Sequence, residues 1–169
     1  MDRERVYRSR FFAGQVLRYH VWPTITQQTV AAHCWRVTCI LIEIFGLPRA
    51  EVLYFALHHD SGELWAGDVP YLIKANTPGL KELMDTAEAV GRRLLEVNLP
   101  QLNDFELAQV KISDLLEMHE YGEMEVNMGN SYAEPVMRDT MHAAQKLAAQ
   151  HCVSDKVNRW LMDRGSLRR

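Results

Sequence analysis

Apolar residues recur along this chain at intervals of three and four, the period of an amphipathic helix, and no stretch sustains the alternation of a half-buried strand. Arg3 to Leu17 sets Val6, Phe11, Phe12 and Val16 among Arg3, Arg5, Arg8 and Arg10 and predicts a surface helix, weakened at Ala13-Gly14. Arg18 to Thr24 is a connector broken by Pro23. Thr29 is placed to cap a second helix that ends at Phe45, before Gly46-Leu47-Pro48. Its stripe is His33, Val37, Ile40, Leu41 and Ile44, so His33 points inward. A third helix opens near Pro48 and Glu51 and carries Val52, Phe55, Ala56 and His59 on its inner face, until Gly62 loosens it.

Beyond a turn at Gly67-Asp68-Val69-Pro70, Thr77-Pro78 predicts a cap and first position for a helix from about Gly79 to Val97. Its apolar side is Leu83, Met84, Ala87, Val90 and Leu94. Asn103 or Asp104 caps a helix with Leu107, Val110, Asp114, Leu115 and Met118 along one side. Glu117, Glu120, Glu123 and Glu125, with Gly122 and Gly129, read as its acidic end and a loop. Pro135 starts another helix, and Ser154-Asp155 caps a last one with Val157, Trp160 and Leu161. The expectation is a single all-α domain over residues 1–169.

Composition narrows the function classes. A chain 47% hydrophobic and 24% charged has enough apolar residues for a core. A net charge of -3 gives no reason to expect nucleic acid as a partner. No apolar run approaches the ~20 residues of a membrane span, and Met1-Asp2-Arg3-Glu4-Arg5 lacks the apolar core of a signal peptide. The expected location is therefore the cytoplasm. Cys34, Cys39 and Cys152 show no C-x-x-C spacing and read as reduced, structural residues.

Three helices nevertheless deliver polar groups to apolar faces: His33, His59 with Asp60 beside it, and Asp114. Singly, each has an ordinary explanation. A core histidine is satisfied by one hydrogen bond, and an inward aspartate pairs with a cation such as Lys111 or Arg36. Together they are costly, because four buried polar groups need partners in one small domain. A divalent cation satisfies all four, with two neutral imidazoles and two carboxylates. That donor set admits zinc, cobalt or manganese, and also iron or nickel. His58 drops out, lying about 100° around the helix from His59.

The order His33, His59-Asp60, Asp114, with 26 residues from His33 to His59 and 54 from Asp60 to Asp114, resembles the H…HD…D pattern of the HD-domain metal-dependent phosphohydrolases. The resemblance extends through Gln28 to His33, His59 to Glu63, Gly67 to Pro70, and Lys74. These stretches look like the bacterial HD-type 5′-deoxynucleotidases and the small phage dATP triphosphohydrolases. The chain departs from the pattern at Ala32, where many relatives carry glutamate. The resemblance implies an HD-domain helical bundle of about six to seven helices, with His33, His59, Asp60 and Asp114 as metal ligands.

It also implies a reaction. Metal-activated water attacks the α-phosphate of a deoxynucleoside triphosphate such as dATP, releasing deoxynucleoside and triphosphate, and a second ion such as magnesium travels with the substrate. Glu63 returns to the side of Asp60 after one helical turn and is the candidate catalytic residue, orienting the water or taking its proton. Otherwise it makes a surface ion pair. Asp68 either binds substrate or fixes its turn. Arg18, Lys74 and Lys81 are candidate phosphate cations, the arginine able to grip two oxygens. Trp22, with Pro23 and Ile25, offers a surface for the base, and Trp65 is a weaker candidate. The runner-up reaction is 5′-deoxynucleotidase action on monophosphates, and a third reading is an inert nucleotide sensor. Apolar residues near the tail, such as Trp160, suggest a homo-oligomer, a dimer or larger.

Overall fold

Helical hydrogen bonding dominates the backbone of the computed structural model, which describes residues 11–167. The long helices are α1 (Val30–Phe45), α2 (Ala50–His58), α5 (Leu80–Leu94), α6 (Asp104–Asn127), α7 (Glu134–Gln150) and α8 (Ser154–Leu167), with short α3 (Glu63–Ala66) and α4 (Tyr71–Asn76) between α2 and α5. A 3-10 turn, Ser131–Ala133, leads into α7. The expected all-α class is observed. Extended pairing among the described residues amounts to an isolated antiparallel bridge between Leu17 and Thr29. No described helix is long and apolar enough to cross a membrane.

The chain divides into two compact units. Among the described residues, one holds those up to Cys34 together with Leu57–Leu99, the other Trp35–Ala56 with those from Pro100 onward.

In the first unit, Val16 and Gly14 accept from the amides of Val30 and Ala31, and Arg18 donates to the Gln28 carbonyl, so the connector lies back on the start of α1. This corrects the expected helix to Leu17. Residues 3–10 lie outside those described, residues 11–13 are helical, and the chain then turns at Gly14 to make the bridge. Thr29 caps α1 as expected, its Oγ1 accepting from Ala32. A small core of Ala13, Leu95 and Val97, with Leu99 against it, closes the unit.

The start of α5 also differs from expectation. Its N-cap is Gly79, in the left-handed region at φ 77°, and not Thr77. Only a residue without a Cβ takes that conformation at little cost, so the chain turns there. Of the expected apolar side, Leu83 is exposed, whereas Met84 is buried.

In the second unit, Ile40 and Ile44 of α1 join Ile112, Leu116, Ala144, Ala148, Val153, Val157 and Trp160 in one core. Leu41, Val52, Ala56, Leu102 and Val110 form another. Trp160 is thus a core residue, its Nε1 donating to Glu43 at 2.7 Å. The acidic stretch is also corrected. α6 continues through Gly122 to Asn127, and Glu117, Glu120 and Glu125 are buried. Arg36 lies 3.2 Å from Glu117 and 3.6 Å from Glu120, Arg164 also pairs with Glu120, and Asn130 donates to Glu125 at 2.8 Å. Charge pairing at Glu117 and Glu120, and a hydrogen bond at Glu125, make this burial tolerable.

Candidate metal centre

α2 ends at His58, so His59 and Asp60 lie in the turn that follows, and not on the inner face of the helix. The turn is closed by Ser61, whose amide and hydroxyl both donate to the His58 carbonyl, at 3.1 and 2.7 Å. Glu63 then begins α3. His33 comes from the first turn of α1 and is fully buried.

These residues converge on Asp60. Its Oδ2 lies 3.4 Å from His33 Nε2 and its Oδ1 3.4 Å from His59 Nε2, with the two imidazole centroids 5.5 Å apart. One atom from each residue falls within 4.8 Å of the others. Both nitrogen–oxygen separations exceed the usual ~2.7–3.2 Å of an N–H···O bond. They match the edge of a coordination polyhedron instead, since metal–ligand bonds of ~2.0–2.2 Å place neighbouring donors roughly 3–3.5 Å apart. Two imidazoles and a carboxylate thus fit a divalent transition-metal ion. Glu63 Oε2 is buried without a hydrogen-bond partner among the described residues, an orphaned acceptor beside that position.

The charges around Asp60 sort the two acids. Burial opposes ionisation of Asp60, but the imidazoles of His59 and His33 and the Arg18 guanidinium outweigh it and hold the carboxyl well below the usual range. For Glu63, burial followed by the Asp60 and Asp68 carboxylates pushes it up to about 9. Without a bound metal ion, Asp60 is an anion and Glu63 a neutral acid at pH 7. Burial, reinforced by Asp60, raises the Cys34 thiol. It lies 3.9 Å from His59 Nδ1 and stays protonated, in keeping with the inert role expected of it.

Arg18 is buried beside this cluster. Its Nη1 lies 3.4 Å from Gln28 Oε1 and its guanidinium packs over the Tyr19 ring, 5.3 Å from the centroid. Tyr19 has φ 57°, unusual for a residue with a Cβ, and its amide donates to Asp68 Oδ2 at 2.8 Å. Asp68 therefore fixes the connector that carries Arg18. Trp22 closes that turn through its amide on the Tyr19 carbonyl, and its indole Nε1 is buried without a hydrogen-bond partner among the described residues. Pro23 and Ile25 are exposed.

Other expected residues are less directly engaged. Lys74, in α4, is 3.6 Å from Glu88. Lys81 is exposed and pairs with Asp85 one turn along α5. Trp65 is exposed. Asp114 belongs to the second unit, where it is buried and its Oδ2 accepts from Lys111 Nζ at 2.6 Å, the ordinary partner weighed for it.

Two contacts were not foreseen. Arg92 Nη1 lies 3.3 Å from the His59 carbonyl oxygen, and Gly62 packs against Gly91 of α5. A glycine inside an otherwise amphipathic helix was the available signal for the second; the first had none.

No protein-family model matches this chain. Over 86 residues it is 36% identical to the dATP triphosphohydrolase of cyanophage S-2L, a match to 47% of this chain and 48% of that protein. The chain thus spans about half the length of this curated relative. A crystal structure of an HD-domain phosphohydrolase from Listeria innocua superposes with a TM-score of 0.71, covering 96% of this chain and 89% of that one at 20% identity. At that identity the likeness speaks for the fold. The chain has the fold of the HD-domain phosphohydrolases.

Proposed function

We propose that this protein is a divalent-metal-dependent phosphohydrolase acting on deoxynucleotides, with a deoxynucleoside triphosphate of the dATP type as substrate. The observation that carries it is Asp60 held at coordination distance from both His33 and His59, with the unsatisfied Glu63 carboxyl beside it. The partial likeness to a dATP triphosphohydrolase supports the substrate class. A cation held by His33, His59 and Asp60 supplies Lewis acidity toward a phosphoryl oxygen and lowers the pKa of water.

The chain's own groups do the rest. Arg18, buried and positive, is suited to a phosphate oxygen pair. Glu63 becomes an anion as a cation offsets the Asp60 and Asp68 charges, and it then accepts the proton of the attacking water. Water oxygen bonds to the α-phosphorus, the bond to O5′ breaks, and the O5′ alkoxide takes that proton back from Glu63 to leave as deoxynucleoside, with triphosphate as the other product. Trp22 offers its ring to the base.

Lys81, expected to serve a long phosphate chain, is engaged by Asp85 on an exposed helix face. This favours, as the second reading, a monophosphatase with one phosphate pocket. Chromatography after incubation of deoxynucleoside mono-, di- and triphosphates with cobalt, manganese, zinc or magnesium separates them. Inorganic triphosphate from dATP supports the proposal, and phosphate released only from monophosphates eliminates it. Nucleotide bound without turnover by metal-loaded protein points to a sensor.

A further inference from the structure

Gly62 stands between Asp60 and Glu63, and it has no room for a side chain. A Cβ there would lie 2.4 Å from the carbonyl oxygen of Glu88 in α5. A Cβ on Gly91 would meet the Gly62 carbonyl oxygen and Trp65 Cβ, both at 2.7 Å. Neither glycine is needed for its own backbone shape, since Gly62 has φ −66° and ψ −19° and Gly91 lies within α5. The requirement is distance. Backbone meets backbone, and no flexible side chain can give way.

The neighbouring residue holds the same turn from its other end. Arg92 Nη1 is 3.3 Å from the His59 carbonyl oxygen and 3.5 Å from Glu88 Oε2, and Glu88 Oε1 is 3.6 Å from Lys74 Nζ. A glycine contact at Gly62 and a part-buried hydrogen bond at His59, made by successive residues of α5, thus bracket the stretch that carries His59 and Asp60.

We infer that α5 is a positioning helix for the metal centre, with Gly91 and Arg92 its positioning residues. The glycine pair sets how closely the Asp60–Glu63 turn approaches α5, and Arg92 fixes the peptide that follows His59. Together they hold the His59 and Asp60 donor atoms at coordination distance. This rests on the proposed metal-dependent function, and it assigns α5 a role beyond filling space.

The test measures metal binding and folding separately. Gly91→Ala, Arg92→Met and Arg92→Lys are titrated with cobalt(II) alone, followed by its visible absorption, and the metal-free proteins are melted in parallel. Gly91→Ala and Arg92→Met are expected to weaken cobalt binding about ten- to a hundredfold, the range for residues that orient ligands. They should also shift the absorption band. Arg92→Lys, which keeps a donor toward the His59 carbonyl, should recover part of the affinity. Folded variants that bind cobalt within twofold of the parent overturn the inference, whatever their melting temperatures. If Gly91→Ala does not fold, the Arg92→Met and Arg92→Lys pair decides alone. A parent that takes up no cobalt overturns the metal-dependent function itself; a parent that binds it beside equally competent variants overturns only the role of α5.

Discussion

Asp60 and Glu63 lie one helical turn apart, yet their surroundings drive them in opposite directions. Burial and two neighbouring carboxylates raise Glu63 from 4.5 to about 9, so the folded metal-free protein holds this proton more tightly than the unfolded chain does. Its contribution to stability is complete below pH 4.5 and is lost as the pH climbs through about 9. Asp60 runs the other way: its contribution is present above 3.8 and is lost as the pH falls through its depressed folded value. Glu63→Gln, a neutral isostere, should therefore flatten the fall in metal-free stability between pH 5 and 9 and raise the melting temperature by several degrees at the upper end. The same change in metal-loaded protein should lower turnover by about 10²–10⁴-fold, the usual worth of a general base. Melting curves across that range decide it; parallel pH dependence in parent and variant would refute a buried, protonated Glu63. Only part of this was legible beforehand. The i, i+3 spacing places Glu63 on the side of Asp60, but its burial and the Asp68 and Arg18 charges that act on it follow from the folded chain and not from that spacing.

At the scale of elements, periodicity read well and boundaries less so. The α1 stripe from His33 to Ile44 is the buried face, because a three- and four-residue period is a property of the helix itself. Gly122 is a loop signal in the sequence, yet α6 runs through it, since tertiary contacts outweigh a local cost of about 1 kcal/mol. The burial of Glu117 and Glu120 has no local signal, because their partners, Arg36 and Arg164, are remote in sequence. The start of α6 was visible, and it is stronger than a simple cap. Asn103 Oδ1 accepts from the Glu106 amide at 2.9 Å, while Glu106 Oε2 accepts from the Asn103 amide at 3.0 Å. The Arg49 guanidinium meets the same carboxylate at 2.6 and 2.8 Å. Hydrogen bonds from Arg49 and the Asn103 amide hold the Glu106 carboxyl at about 2. Replacing Asn103 by alanine should cost about 1 kcal/mol. For a chain of this length that lowers the melting temperature by roughly 2–4 °C, measurable by calorimetry. No change would mean that the Arg49–Glu106 pair organises the helix start without the cap.

For the whole molecule, the His33, His59 and Asp60 donors converge only once the chain has folded, because 26 residues separate the two histidines in sequence. An ion bound there favours the folded state over the unfolded one by mass action. At a free concentration a hundredfold above its dissociation constant, cobalt or manganese should add about 2.7 kcal/mol. In a protein of this size that raises the melting temperature by roughly 5–10 °C. A chelator should reverse the gain. His59→Ala and Asp60→Ala should melt at the same temperature with and without the ion, since each removes a donor and the remaining pair binds far more weakly. Lys81→Ala, altering an exposed pair with Asp85, should keep the full shift. The comparison separates a specific site from general ionic stabilisation, which would raise all four proteins alike. An undiminished shift in His59→Ala would place the ion elsewhere and leave the buried acids around Asp60 with a purely structural role.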